Sequence, residues 1–182
     1  MTEWIERRDM SLVKNQLLLQ DITRWHIVPT VSHQTVADHT CGVIVISLKI
    51  CSFLPGFIDC YDVLLAALSH DLNEVGFGDV PSRVTDHSDV ESLTKWRATS
   101  LNDKIIKIAD MLEMAFTLER IAPTERGLFI HDRLIKRCVF LLEDGILALS
   151  GLSDSGRSHF NKIVLDGVKA IIAEKWDWSV GK

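Results

Sequence analysis

The chain has 182 residues, 47% of them apolar, which is the size of one ordinary domain with enough material for a sizeable core. A formal net charge of −5 argues against a surface built to coat nucleic acid, while leaving room for a local basic pocket that takes a small anion. Cys41, Cys51, Cys60 and Cys138 form no CxxC pair, as expected of reduced thiols in a cytoplasmic protein.

The N-terminus is charged at once (Glu3, Glu6, Arg7, Arg8, Asp9) and does not read as a signal peptide. Residues 10–22 read as a first helix, and His26 to Thr35 as a loop. A nearly all-apolar helix is expected over about 36–53, which makes it central. Its run CGVIVISLKICSFL is broken by Lys49 and is too short to span a bilayer. A third helix is expected over about 60–74, ending in SHDLNE. A polar loop and a candidate lid fill the stretch to Ser100. Leu101, Ile105, Ile108, Leu112 and Ala115 mark a strong helical period over 101–121. Further helices are expected over about 132–149 and, after a turn at 151–157, along Phe160, Ile163, Val164, Val168, Ile171 and Ile172. With no alternating strand, the chain reads as all-α and as one compact domain over 1–182.

His39 falls near the start of the second helix, His70 and Asp71 at the end of the third, and Asp110 among apolar neighbours in the long helix. A carboxylate placed like Asp110 is costly to bury unless paired or bound to a metal. Two imidazoles and two carboxylates from three helices can cage a divalent ion such as Zn, Co, Mn or Mg, whose identity the donors leave open. Each residue taken alone has a plainer explanation. A histidine on an apolar helix is usually a satisfied core residue, and an HD doublet is common by chance. What stands out is the ordered set, with gaps of 31 and 39 residues.

That set, with its surroundings, resembles the HD-domain phosphohydrolases. RWHIVPTVSHQTVADHT, LLAALSHDLNEVGFGDVPSRV and IKIADMLEMAFTLER are similar to the three signature blocks of the HD-domain 5′-deoxynucleotidases. Arg24 and Trp25 precede the first histidine by fifteen residues, Glu74 follows the doublet by three, and Gly78-Asp79-Val80-Pro81 makes the expected turn. The likeness covers about residues 10–121. The MTEW start, the short length and the wording around His39 are similar to a small phage branch, the dATP triphosphohydrolases of phages that replace adenine by 2-aminoadenine.

The resemblance implies a compact helical HD domain with His39, His70, Asp71 and Asp110 as metal ligands. It implies catalytic roles for Glu74 and Asp79, with Glu74 handling the attacking water or the leaving oxygen. Arg24 would fork onto phosphate oxygens, and Trp25 would stack on a base or wall off the sugar 2′ position. Arg83 and Lys107 are further candidate phosphate contacts. Plainer readings stand beside these: a solvated helix end for Glu74, turn geometry for Asp79, a surface ion pair for Arg24, core packing for Trp25. The sequence departs from the family in lacking a lysine just after the Gly-Asp-x-Pro turn, where Arg83 can substitute. His26 and His33 stand where other residues are familiar, and His33 is expected to be an exposed loop histidine. The implied partner is a deoxynucleotide, with no nucleic acid or membrane, in a homo-oligomer in the cytoplasm (host cytoplasm if phage-encoded). Trp96 and Arg97 in the lid are candidates for the pocket or a neighbouring-subunit contact, and Trp176 and Trp178 near the C-terminus for an interface or the core. Three activities compete: dATP to deoxyadenosine plus tripolyphosphate, 5′-deoxynucleotidase action on monophosphates, and non-catalytic nucleotide sensing.

Overall fold

The computed structural model describes residues 13–26, 28–54, 58–78, 100–143 and 154–173. Asp79, Arg83, Trp96, Arg97, Trp176 and Trp178, and the proposed lid, lie outside them. Among the described residues the secondary structure is helical, apart from one isolated bridge between Thr23 and Thr35.

Residues 13–18 are helical and tighten into a 3-10 turn at Leu19–Asp21, whose Leu19 is buried. The following loop is closed on itself by backbone bonds. Arg24 N–H donates to the Gln34 carbonyl at 2.9 Å and Val36 N–H to that of Ile22 at 2.9 Å. Helix α1 spans Val36–Cys51 and opens on a capping box: Thr35 accepts from Asp38 N–H while Asp38 accepts from Thr35 N–H. These side chains satisfy donors that a helix start otherwise leaves open. Helix α2, Cys60–Ser69, is capped by Asp59. After a turn, the short α3 covers Glu74–Phe77 and stops at Gly78, whose φ of 75° favours glycine. Helix α4, Leu101–Ile121, begins with a second capping box, Ser100 with Asp103. Helices α5, Glu125–Glu143, and α6, Asp154–Ala173, complete the described chain.

Helix α4 packs against α1, α2 and α5. The core gathers Val43, Ile46 and Ile50 of α1, Val63 and Ala67 of α2, Ile105, Ile108 and Leu112 of α4, Cys138 of α5 and Val168 of α6. A smaller apolar cluster of Val28, Leu118, Ile121 and Ala122, with Trp25 packed on it, fastens the 22–35 loop to the end of α4. Val31 N–H reinforces this by donating to the Ile121 carbonyl at 2.7 Å.

Three boundaries differ from the sequence expectation. The helix expected to run to Glu74 ends at Ser69, and residues 70–73 form a turn before α3. The helix expected from 132 begins at Glu125, because Thr124 Oγ1 caps it by accepting from Gly127 N–H at 3.1 Å. Residues 154–157, expected in a turn, are the first turn of α6, because serine and aspartate suit a helix start as well as they suit a turn. All four cysteines are free thiols, with Cys51 and Cys138 buried and Cys41 and Cys60 exposed. No described helix is long and apolar enough to cross a membrane.

Candidate metal centre

The four expected ligands meet at one point between α1, α4 and the end of α2. His39, in the first turn of α1, is fully buried. Its Nε2 lies 3.3 Å from Asp110 Oδ1, 3.4 Å from Asp71 Oδ2 and 3.5 Å from His70 Nε2. His70 Nε2 is in turn 3.1 Å from Asp71 Oδ2. Ligand atoms of His39, His70 and Asp110 all lie within 4.8 Å of one another. The donors, imidazole nitrogen and carboxylate oxygen, suit a divalent ion, and their convergence from separate helices is what a metal cage needs.

The same crowding shows in the charges. Burial and the positive Arg24 oppose protonation of His39, but Asp110, Asp71 and Glu113 outweigh them and push its pKa from 6.5 up to about 10. Burial works against ionisation of Asp71, yet hydrogen bonds from His39 and His70 hold its carboxyl well below the usual range. Asp110 is held low in the same way, by Lys107 and then His39. A proton shared at His39 Nε2 is the charge that a bound cation replaces.

The two histidines turn the same face to the centre. His70 Nδ1–H donates to the Ala67 carbonyl at 2.7 Å, an obligate acceptor, so Nε2 is left for the site. His39 Nδ1 is met by Glu113 Oε2. Glu113 was not singled out in the sequence. It is 6% exposed and sits one turn beyond Asp110 on α4, and that i+3 spacing is the signal that could have found it. Gln34, also buried, was missed as well; nothing in a loop sequence points to it.

Arg24 and Trp25 stand beside the centre. Arg24 NH1 is 4.0 Å from Glu113 Oε2, and its guanidinium lies 5.4 Å from the Trp25 ring centroid. The Nε and NH1 atoms of Arg24 are buried and make no hydrogen bond among the described residues. Such donors are costly to bury unless an acceptor completes them. Trp25 takes φ 69°, rare for a non-glycine residue, and donates its indole N–H to Gln34 Oε1 at 2.7 Å. It is thus both a packing residue of the small cluster and a neighbour of Arg24.

Glu74 opens α3, half-buried, its N–H bonded to the Asp71 carbonyl at 2.9 Å. It follows Asp71 through a turn, not along the continuous helix expected. Lys107 Nζ lies 2.9 Å from Asp110 Oδ2, so it flanks the metal face while 43% exposed. His26 and His33 are exposed.

A family model for 5′-deoxynucleotidase YfbR-like proteins matches residues 14–95, which contain His39, His70 and Asp71. A dATP triphosphohydrolase of Acinetobacter phage SH-Ab 15497 is 29% identical over 141 residues, 60% of this chain and 68% of that protein. Among solved structures, the cyanophage S-2L HD phosphohydrolase DatZ, bound to dA and one catalytic Zn2+, superposes with a TM-score of 0.69 at 20% identity, over 87% of this chain and 95% of that one. A conserved hypothetical protein from Pyrococcus furiosus superposes with a TM-score of 0.57 at 23% identity, over 88% and 99%. The family-model match and the phage relative support a metal-dependent phosphohydrolase, and the histidine–carboxylate centre is a group that could hold its metal. In sequence over residues 14–95 and in fold, the chain is similar to the HD-domain phosphohydrolases of the 5′-deoxynucleotidase-like group.

Proposed function

We propose that the protein hydrolyses dATP to deoxyadenosine and tripolyphosphate, and so depletes dATP in a phage-infected cell. The observation that carries a phosphohydrolase of this kind is the buried, incompletely bonded Arg24 guanidinium near the converging side chains of His39, His70 and Asp110, with Asp71 beside them. The preference for dATP draws on the phage relative that acts on dATP and on the neighbour bound to dA.

His39, His70, Asp71 and Asp110 would hold the metal. When bound, a divalent ion supplies Lewis acidity to a phosphoryl oxygen and lowers the pKa of water. Arg24 grips phosphate oxygens and offsets the charge that grows as the bond to the 5′ oxygen breaks. Water forms the new bond to the α-phosphorus; its proton is taken up and the leaving 5′ oxygen is protonated, with Glu74 as the acid–base group. Trp25 packs on the base or closes off the sugar 2′ position. Asp79 and Arg83 are assigned sugar and phosphate contacts, and Lys107 a further phosphate contact. A homo-oligomer acting in the host cytoplasm completes the proposal.

The matching family model favours a second reading, a 5′-deoxynucleotidase that cleaves monophosphates. A product assay separates the two. Zinc-supplied protein is incubated with the four deoxynucleoside triphosphates and their monophosphates, and nucleoside, phosphate and tripolyphosphate are resolved. Deoxyadenosine with tripolyphosphate from dATP alone is the expected result. Phosphate from monophosphates only establishes the second reading, and no turnover of any substrate overturns both.

A further inference from the structure

We infer that Glu113 is a positioning residue, the middle of a hydrogen-bonded chain from Trp25 to His39 that keeps His39 Nε2 turned to the metal centre. The inference rests on the metal reading of that centre. The chain has three links. Trp25 Nε1–H donates to Gln34 Oε1 at 2.7 Å, Gln34 Nε2–H donates to Glu113 Oε1 at 2.7 Å, and Glu113 Oε2 meets His39 Nδ1. Thr117 Oγ1–H gives Glu113 Oε1 a further donor at 2.7 Å.

Each link fixes the next. An indole N–H can only donate, so the Gln34 amide must offer its oxygen to Trp25 and its NH2 to Glu113. An ionised carboxylate can only accept, so the proton on that side of His39 must stay on Nδ1. Nε2 is then the nitrogen that can give up its proton to a cation, and it is the one facing Asp71, Asp110 and His70. The fold makes room for this carboxylate. A Cβ at Gly42, on α1, would lie 2.5 Å from Glu113 Cγ, so the glycine admits the side chain. An apolar residue on α4 could fill the same space without burying a charge. The far end of the chain is Trp25, whose neighbour Arg24 donates its N–H to the Gln34 carbonyl at 2.9 Å. The phosphate-facing loop and the metal ligand are therefore one bonded unit.

The test combines zinc titration with a 15N–1H spectrum of the histidine side chains, at one fixed neutral pH, on the full chain. In the wild type a slowly exchanging His39 Nδ1–H signal is expected with and without zinc. E113Q keeps the shape but breaks the chain. Its amide either sets an NH2 against the Gln34 NH2 or sets one against His39 Nδ1. The signal should be lost and zinc affinity should fall by about 10–100-fold, the usual effect of losing such a support. The exchanged pair Q34E/E113Q keeps the net charge and restores every donor to an acceptor. The carboxylate, now at position 34, accepts from the Trp25 indole and from the amide NH2, now at position 113. The oxygen of that amide accepts from His39 Nδ1–H. The pair should recover both the signal and the affinity. E113Q that binds zinc like the wild type and keeps the signal overturns the inference. So does an exchanged pair as impaired as E113Q, which would assign the effect to the charge alone. Wild-type protein that binds no zinc overturns the metal reading instead, while the Nδ1–H signals still decide the chain.

Discussion

The two walls of the metal centre are built differently. On the α1–α4 wall, His39 is fully buried, Glu113 lies beneath it, and Gly42 is cut back to let the helices meet. On the other wall, His70, Asp71 and Glu74 occupy a turn and the start of a short helix, half-buried, with His70 held by a backbone carbonyl. A ligand supported by the main chain tolerates changes around it. One supported by a buried carboxylate depends on every side chain in the row. The α1–α4 wall therefore sets the geometry, and in the proposed function the α2–α3 wall is the one that presents groups to substrate.

The comparison can be broken most forcefully at Asp110, on the tight wall. In folded, zinc-supplied D110A, kcat/KM should fall by about a thousandfold or more, since a Lewis acid contributes several kcal/mol to the transition state. Unchanged activity would remove the metal centre from the mechanism. The metal-free protein should also show the charge coupling directly in urea unfolding at a series of pH values. His39 has its pKa raised by folding, so its contribution is complete below 6.5 and is lost as pH climbs towards about 10. Asp71 and Asp110 are lowered, so theirs is present above 3.8 and is lost as pH falls below it. Stability should peak between those limits, and zinc should flatten the alkaline decline by replacing the Nε2 proton. A stability profile that rises between pH 7 and 10 would contradict the arrangement.

Arg24 comes next. R24A should lower kcat/KM by about 100–1000-fold, the scale of losing one donor to transition-state charge; a variant as fast as the wild type would return Arg24 to a structural role. The smallest effect sharpens the contrast between walls. G42A forces Glu113 aside at a cost of about 1–3 kcal/mol, partly offset by about 0.5–1 kcal/mol of helix propensity. G76A, on α3, meets nothing within 4 Å among the described residues and should be neutral or stabilising by up to about 1 kcal/mol. Thermal unfolding of the two variants measures the difference, and equal melting temperatures would mean the walls are equally tight.

Much was legible before any coordinates. The helix starts near 36 and 101 followed from the apolar run and from the period of 101–121, and the structure keeps them there with capping boxes at Thr35–Asp38 and Ser100–Asp103. His39, His70, Asp71 and Asp110 could be picked out as an ordered set, His39 and the His70–Asp71 doublet at helix ends and Asp110 as a carboxylate among apolar neighbours that is costly to bury alone. The break after Ser69, the cap at Thr124 and the start of α6 were not legible, since polar residues there fit turn and helix alike. What only the tertiary structure decided was the support behind the ligands. That Glu113 and Gln34 stand 79 residues apart in sequence and 2.7 Å apart in space, between Trp25 and His39, follows from how α4 crosses α1. Hydrogen-bond partners across such a crossing carry no local pattern in the chain, because their geometry exists only once both helices are packed.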